Sequence, residues 1–177
     1  KEFNGNIYDL ENVSLYIEDG RKFIQTTDEK YDHIYLGKVF SGVVDNSAAM
    51  MSENYIYTKE AYDLYLEHLT QDGKLTFVFN DFKELIKSIN TMIRVLTDKG
   101  VERENITKHF VAINSYSEEI SKRQNGAVWM PIVIFKNEPF TKEEVNQIKE
   151  ISNEQNRAII NLPYEEEISL YKQYAEG

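Results

Sequence analysis

Two short segments near the start of the chain alternate apolar and polar residues, which is typical of half-buried β-strands. Residues 13–17 alternate in this way and stop at the turn-forming residues 18–20. Residues 31–36 show a second apolar run that ends at Gly37, and residues 21–25 between the two predict one helical turn. The sequence therefore predicts a strand, a helical turn and a second strand over its first 37 residues.

Apolar residues at helical spacing predict two longer helices. Thr58 predicts the N-cap of a helix that runs to about residue 69, and residues 71–73 stop it before a third strand at residues 75–79. Asp81, with Glu84 three residues later, predicts a capping box for a second helix. That helix has one apolar stripe and a stop at Gly100. The stripe consists of Leu85, Ile86, Ile89, Ile93 and Leu96.

The second half of the chain predicts an antiparallel hairpin, because its two strands are too close in sequence for a parallel crossover. The strands are residues 109–113 and 128–135, joined by a polar turn, and Pro131 indicates an edge or a bulge in the second strand. Local signals predict three later elements: a helix opened by a capping box at residues 141–144, a strand at residues 158–162 and a helix at residues 165–175.

Strands that alternate with helices favour an α/β fold with a mostly parallel sheet and helices on both faces. The late antiparallel hairpin resembles the end of a class I methyltransferase sheet. No repeat or linker divides the chain, so we predict a single domain over residues 1–177. Ligands bind beyond the carboxyl ends of the strands in such sheets, which directs attention to residues 18–20, 80–81 and the long loop 37–57.

Composition excludes several classes of function. The formal net charge of -10 opposes binding to nucleic-acid phosphates. The chain has no cysteine, so it has no disulfide, thiolate nucleophile or cysteine zinc site, and a reducing compartment suits it. No run approaches the roughly 18 apolar residues of a membrane helix, and no signal peptide is visible. We expect a cytoplasmic protein, or the cytosolic domain of a membrane-anchored one, that does not itself insert into the membrane.

Three places carry candidate chemistry. Asp19 and Gly20 end the first predicted strand, where a carboxylate can accept hydrogen bonds from a ligand and the glycine lets the ligand approach; a charged turn before a helix is the alternative. Asp45, in the long loop, is a candidate base, with a solvated loop aspartate as the alternative. Asn54, Tyr55 and Tyr57 form a candidate substrate loop, although these aromatic rings equally suit packing of the loop onto the next helix.

Other motifs are missing from the sequence. His33, His68 and His109 match no metal-binding spacing, so we assign them structural or surface roles and predict no metal site. No Gly-x-Gly-x-x-Gly loop, Walker loop or Gly-x-Ser-x-Gly turn is present. The sequence by itself therefore identifies no catalytic residue beyond the candidate Asp45.

Several segments together resemble the spermidine-synthase-like family, and most closely its bacterial members attached to multi-span membrane regions. In that family a strand ends in Asp-Gly-Arg, a Tyr-Asp-x-Ile strand follows, an aromatic Tyr-Thr-x-Glu-Ala segment opens a helix, and a glycine turn leads into the next strand. A Pro-Phe-Thr-x-Glu-Glu segment opens a late helix. The corresponding segments here are residues 13–21, 31–36, 52–62, 69–75 and 135–162.

The resemblance implies a Rossmann-like sheet of the methyltransferase type that binds S-adenosylmethionine or decarboxylated S-adenosylmethionine and no metal. By position, Asp19 would contact the adenine amino group, and Gly20 would give it room. Spermidine synthases have a catalytic aspartate directly after the strand that corresponds to residues 31–36, whereas this chain has Gly37. The resemblance thus implies cofactor binding more strongly than aminopropyl transfer.

The resemblance also implies that the sheet is incomplete. The family's first three strands, with the glycine-rich loop and the acidic residue that holds the ribose, would precede Lys1. We therefore expect a fragment of an S-adenosylmethionine-dependent transferase for an unknown small molecule, inactive as an isolated chain. The alternative is a non-catalytic interaction or regulatory module. Residues 13–17 would present an unpaired edge, so we expect a homodimer through that edge or its coverage by N-terminal residues.

Overall fold

The sheet is built from five strands in the order β1-β2-β4-β3-β5. The computed structural model describes residues 5–38, 55–125 and 127–165. The strands are β1 (Tyr31–Gly37), β2 (Leu69–Val78), β3 (Phe110–Ile113), β4 (Ile132–Lys136) and β5 (Ile159–Asn161). The helices are α1 (Gly20–Thr26), α2 (Lys59–Glu67), α3 (Phe82–Asp98), α4 (Glu118–Arg123) and α5 (Lys142–Glu154). None of these helices combines the length and the apolarity needed to cross a membrane.

The predicted α/β fold class is confirmed. Strands β1 and β2 are parallel and are joined through α2, whereas β2–β4, β3–β4 and β3–β5 are antiparallel pairs. The parallel part of the described sheet is therefore the β1–β2 pair, and the late hairpin of β3 and β4 follows it. This open sheet with helices is consistent with a methyltransferase-like fold.

Apolar side chains alternate between the two faces of the sheet and create two cores. On one face Phe77, Phe110 and Phe135 are buried with the apolar sides of α1, α2 and α3. On the other face Val111 is buried with Val145 of α5. Because adjacent residues of β3, Phe110 and Val111, enter different cores, helices cover both faces of the sheet, as predicted.

Helix α3 follows its predicted boundaries closely. Asp81 accepts a hydrogen bond from the Glu84 backbone N–H at 3.0 Å, so the predicted N-cap is confirmed. Glu84 reaches back to the backbone N–H of Asn80, at 2.8 Å, rather than to that of Asp81, so the predicted capping box is displaced by one residue. Gly100, at φ 87°, ends the helix in a left-handed turn in which the Val101 N–H donates to the Leu96 carbonyl at 2.9 Å.

Two strand predictions are wrong. Residues 13–17 form no strand and pair with none of the described strands, and Ile17 is 94% exposed. The exposed sheet edge is instead that of β1, which pairs with β2 and with no other described strand. Strand β2 begins at Leu69 rather than at residue 75, because Tyr31 pairs with Leu69 and His33 with Lys74, which turns the predicted 71–73 stop into a bulge.

The hairpin connection also differs from the prediction. It contains helix α4, capped by the Ser117 side chain, which accepts from the Ile120 N–H at 3.2 Å. Pro131 immediately precedes β4, and β4 lies between β2 and β3 inside the sheet rather than at an edge. The missing N–H of proline is tolerated because the strand begins one residue later, while the Pro131 carbonyl accepts from the Phe79 N–H at 3.0 Å.

The remaining local predictions are confirmed where the structure describes them. Thr141 and Glu144 form the capping box of α5, Phe140 and Val145 are both buried beside it, and β5 lies inside the predicted strand 158–162. Helix α2 is capped by Thr58 and ends at Glu67, because Leu69 already belongs to β2. The predicted helix 165–175 falls almost wholly outside the described residues.

Candidate functional site

Two ring contacts and one hydrogen bond hold the segment before α2 against the carboxyl end of β2 and against α2 itself. The Tyr57 ring lies 5.9 Å from the Phe77 ring and 5.8 Å from the Phe79 ring. The Tyr65 hydroxyl of α2 donates to the Ile56 carbonyl at 3.3 Å. Burial is the main reason that the pKa of Tyr65 is raised to about 12, so this hydroxyl stays protonated as a donor. The short 3-10 turn Tyr55–Tyr57 is therefore fixed in place.

Helix α1 lies beside this 3-10 turn, and the two together border the candidate site. Asp19 caps it by accepting from the Lys22 backbone N–H at 2.9 Å, and Ile24 packs into the main core. Arg21 then reaches across to the 3-10 turn, where its Nη1 donates to the Tyr55 carbonyl at 2.8 Å. This hydrogen bond joins α1 to the 3-10 turn that precedes α2.

Helix α1 with its cap and the 3-10 turn border an open cavity of about 400 Å³. The lining residues are Asp19, Arg21, Gln25, Tyr55 and Ile56. Its size lies within the range of small-molecule sites, roughly 300–1,000 Å³. The cavity contains an exposed carboxylate, a guanidinium and a tyrosine ring that is 58% exposed. We name this group of five residues the α1 cavity.

The α1 cavity brings together residues that were predicted from distant segments. Asp19, a candidate cofactor residue, and Tyr55, a candidate substrate-loop residue, both line it. Gly20 is the first residue of α1, and a Cβ added there would meet no atom within 4 Å, so the fold itself does not require glycine at this position. Tyr57 points into the core between Phe77 and Phe79, as the packing alternative for the substrate loop anticipated.

Two candidates cannot be located. Asp45 and Asn54 lie outside the described residues, so their roles stay predictions. Sequence reasoning missed Arg21, Gln25 and Ile56 as lining residues. The signal for Arg21 was present, because it is the third residue of the Asp-Gly-Arg segment, but its role depends on a contact with the distant Tyr55.

Gly37, the last residue of β1, stands where the family resemblance places an aspartate. The Tyr35 ring folds over it, so that a Cβ on Gly37 would lie 2.6 Å from Tyr35 Cε1 and 2.8 Å from the Tyr35 hydroxyl oxygen. An aspartate at this position would have to displace that ring. Tyr35 is 61% exposed, so the ring has room to move. In the present arrangement the Tyr35 ring occupies the space in which a side chain at position 37 would begin.

The three histidines occupy structural positions. The His33 ring bonds the Thr76 hydroxyl at 2.8 Å across the β1–β2 pair, and His68 bridges the Leu64 and Thr27 carbonyls. His109 is buried and contacts the Lys136 carbonyl at 3.2 Å. Within residues 5–38, 55–125 and 127–165, no three histidine or acidic side chains come close enough together to hold a metal ion.

Comparison with known proteins identifies the family. No match was found among the curated proteins. The family model described as "Spermine/spermidine synthase domain" matches residues 1–123, which is more than half of the 177 residues. The matched span includes α1, the turn before α2 and the parallel β1–β2 pair, and therefore the whole α1 cavity. The chain belongs to the spermine/spermidine synthase domain family.

Proposed function

We propose that the chain belongs to a transferase that uses S-adenosylmethionine or its decarboxylated form, and that the α1 cavity binds the adenine end of this cofactor. The observation that carries the proposal is the meeting of Asp19 and Tyr55 in one cavity beside the parallel strands. Decarboxylated S-adenosylmethionine is the donor used by the spermidine synthase family, so membership of the family supports the same class of ligand.

The residues of the cavity fit an adenine ring. One carboxylate oxygen of Asp19, Oδ1, caps α1, which leaves Oδ2 to accept from the adenine amino group. Gly20 has open space where a side chain would be, so a flat ring can approach its backbone. The exposed ring of Tyr55 offers a stacking surface. These residues would bind and orient the cofactor, whose activated sulfonium supplies the chemistry of group transfer.

Gly37, at the end of β1, does not favour the aminopropyl transfer of a true spermidine synthase. Gly37 has no carboxylate, and the Tyr35 ring covers it. We therefore propose transfer to a small amine, hydroxyl or carboxylate, with rate enhancement from proximity and orientation. Asp45 is the proposed base or substrate-orienting residue, and Asn54 a proposed substrate contact.

Calorimetric titration of the 177-residue chain tests adenine binding. The ligands are S-adenosylmethionine, its decarboxylated form and 5′-methylthioadenosine, which carries the adenine ring without the amino-acid or aminopropyl group. Asp19→Ser keeps a serine cap on α1 but removes the carboxylate. Asp81→Ser makes the same exchange at the α3 cap, outside the cavity, and is the matched control.

We expect Asp19→Ser to weaken all three ligands roughly tenfold to a hundredfold, because a hydrogen bond to a charged group contributes about 1.5–3 kcal/mol. Asp81→Ser should bind like the unchanged chain. The proposal fails if the chain binds none of the three ligands, or if the two variants bind them equally well.

A second candidate function is a non-catalytic interaction module, favoured by the open edge of β1. This edge has no partner among the described strands, and Tyr35 on it is exposed. Such edges accept a strand from another chain, and we propose a second copy as the partner. Sedimentation velocity should show a dimer that Tyr35→Lys dissociates, since lysine on an edge strand opposes pairing. A monomer at all concentrations would contradict this candidate.

A further inference from the structure

We infer that Arg21 binds a carboxylate of a small ligand in the α1 cavity, through the edge of its guanidinium that carries Nε and Nη2. This inference goes beyond the proposed function, which assigns only the adenine end of the cofactor to this cavity, and adenine has no carboxylate. The ligand class is a small carboxylate that also carries a hydrogen-bond donor for Asp19. Both residues line the cavity, so one ligand can reach both.

The guanidinium of Arg21 is held in one orientation. Its Nη1 donates to the Tyr55 carbonyl at 2.8 Å, and its central carbon lies 5.8 Å from the centre of the Tyr55 ring. A single hydrogen bond and a ring contact therefore fix the position of the group. A fixed guanidinium loses less conformational freedom when it binds an anion than a mobile one does.

The remaining edge of the guanidinium contains an unsatisfied donor. Within the described part of the chain, Arg21 Nε is a buried side-chain nitrogen without a hydrogen-bond partner. A buried donor without a partner is costly, and buried polar groups in proteins are nearly always paired. Nε and Nη2 present parallel N–H groups whose spacing matches the two oxygens of a carboxylate. A ligand carboxylate reaching this edge would satisfy Nε.

The charges around Arg21 allow such a ligand. Arg21 takes part in none of the ion pairs formed among the described residues, so no carboxylate of those residues occupies its free edge. Glu60 is exposed, and its pKa is lowered first by its own backbone N–H and the Thr58 hydroxyl, with Arg21 a weaker contributor. Asp19 is exposed and engaged in the cap of α1. A cation and a carboxylate thus face one cavity without neutralising each other.

Access to Nε requires a small movement. The atom is closed to solvent, and the Tyr55 ring beside it is 58% exposed. The Tyr55 ring, whose centre lies 5.8 Å from the central carbon of Arg21, is an exposed group beside the guanidinium with room to move, and its side chain can rotate while its carbonyl continues to hold Nη1. An aromatic carboxylate is therefore a suitable probe, because its ring can pack against Tyr55 and Ile56 while its carboxylate meets Arg21.

The test is an NMR titration of the full chain with benzoate, and with benzamide as a neutral control of the same shape. The chain has five arginines, so the Nε–H signals form a small set, and the Arg21 signal is identified by its loss in Arg21→Lys. We expect benzoate to move the Arg21 Nε–H signal and to slow its exchange with water, together with shifts of the backbone signals of Asp19 and Tyr55. Benzamide should leave the Nε–H signal unchanged.

Arg21→Lys keeps the positive charge but loses the paired donors, so it should weaken benzoate binding at least tenfold. Arg157→Lys is the matched control, because Arg157 also donates through Nη1 to a backbone carbonyl, that of Ser115, but lies outside the cavity. Equal effects of benzoate and benzamide on the Nε–H signal would overturn the inference. So would an Arg21 Nε–H signal that does not move, or equal benzoate binding by the two lysine variants. No nucleoside is present, so the result is independent of adenine binding.

Discussion

The buried ion pair between Lys136 and Glu144 gives the sharpest prediction about stability. The Lys136 side chain is 3% exposed and the Glu144 side chain 25%, and Nζ donates to both carboxylate oxygens at 2.8 and 3.0 Å. Glu144 Oε2 also accepts from the Thr141 backbone N–H at 2.9 Å, which completes the capping box of α5. The Lys136 ammonium lies 5.4 Å from the Phe140 ring centre. The pair therefore joins β4 to the start of α5.

Glu144→Gln keeps a side chain that can complete the capping box but leaves the buried ammonium without its counter-charge. Breaking a buried pair in this way costs about 3–5 kcal/mol. We expect about 3 kcal/mol, the lower end, because Glu144 is a quarter exposed and solvent screens part of the interaction. Lys74, whose Nζ lies 3.7 Å from Glu144 Oε1, acts in the opposite direction, since its repulsion of Lys136 is no longer offset by the carboxylate. Lys136→Met combined with Glu144→Gln should return to within about 1 kcal/mol of the unchanged chain, since the double variant buries no unpaired charge at this site.

Urea unfolding, followed by circular dichroism and the fluorescence of the single tryptophan, measures these differences. The matched control is Glu118→Gln, which breaks the Glu118–Lys122 pair on the exposed side of α4 and should not shift the urea midpoint measurably. The reasoning is refuted if Glu144→Gln is no more destabilising than Glu118→Gln. It is equally refuted if the double variant is as unstable as Glu144→Gln alone.

Three further predictions concern the same fold. Gly73→Ala should destabilise the chain by about 1–3 kcal/mol, because the added Cβ would lie 2.9 Å from the Tyr31 carbonyl oxygen. Gly37→Ala should cost less, because only the exposed Tyr35 ring must move. Urea unfolding curves of the two variants measure both costs, and equal costs would contradict the prediction. Gly20→Ala should leave the free energy of unfolding unchanged or raise it by up to about 1 kcal/mol, and it should weaken nucleoside binding. Scanning calorimetry measures the stability and titration calorimetry the affinity. An unchanged affinity would mean that no ligand approaches Gly20. Burial alone would raise the pKa of Glu144, but Lys136 and the capping hydrogen bond outweigh burial and lower that pKa. The ionised Glu144 therefore stabilises the fold above the usual carboxyl pKa, and this stabilisation is lost as the pH falls through the lowered value. Glu144→Gln should flatten the acid side of the curve of stability against pH, and an unchanged acid side would contradict the assignment.

Local signals predicted the elements whose formation depends mainly on their own residues. Helix α3 has its cap, its apolar stripe and its terminal glycine within one segment, and the structure differs from the prediction in which backbone N–H Glu84 accepts from and in part of the stripe. Ile86 and Ile93 of the predicted stripe are only partly buried, whereas Met92 and Val95 join the core. Helix α4 shows a missed local signal, because the serine cap and two pairs of opposite charge four residues apart were present in a stretch that was predicted as a turn.

Pairing between strands could not be predicted in the same way. Residues 13–17 have the alternation of a strand, but alternation shows only which side chains would lie on the same face. It does not identify a neighbouring strand with which the segment could pair. The bulge in β2 shows the same limit, because residues 71–73 suggest a turn until Tyr31 and His33 are matched to Leu69 and Lys74. Register depends on the partner strand, which a single segment does not contain.

The candidate site was predictable in part. The family resemblance assigned Asp19 to the adenine end, and Tyr55 was singled out as a loop residue, yet nothing local indicated that the two share one cavity. Arg21 was missed because its importance arises from the Tyr55 carbonyl and from the unsatisfied Nε, which are both properties of the folded chain. The sequence predicted the chemistry of single residues, whereas only the structure showed which of them line the same cavity.

The most direct test of the proposed adenine site is an isotope-filtered NOE experiment on the labelled chain with unlabelled 5′-methylthioadenosine. It measures which protein protons lie near the protons of the adenine ring. We expect contacts from the adenine ring to the Tyr55 ring, which lines the α1 cavity, and to the α-protons of Gly20, which lies in sequence between the lining residues Asp19 and Arg21. Adenine contacts confined to another surface, such as the half-exposed ring of Trp129, would contradict the assignment of the cavity.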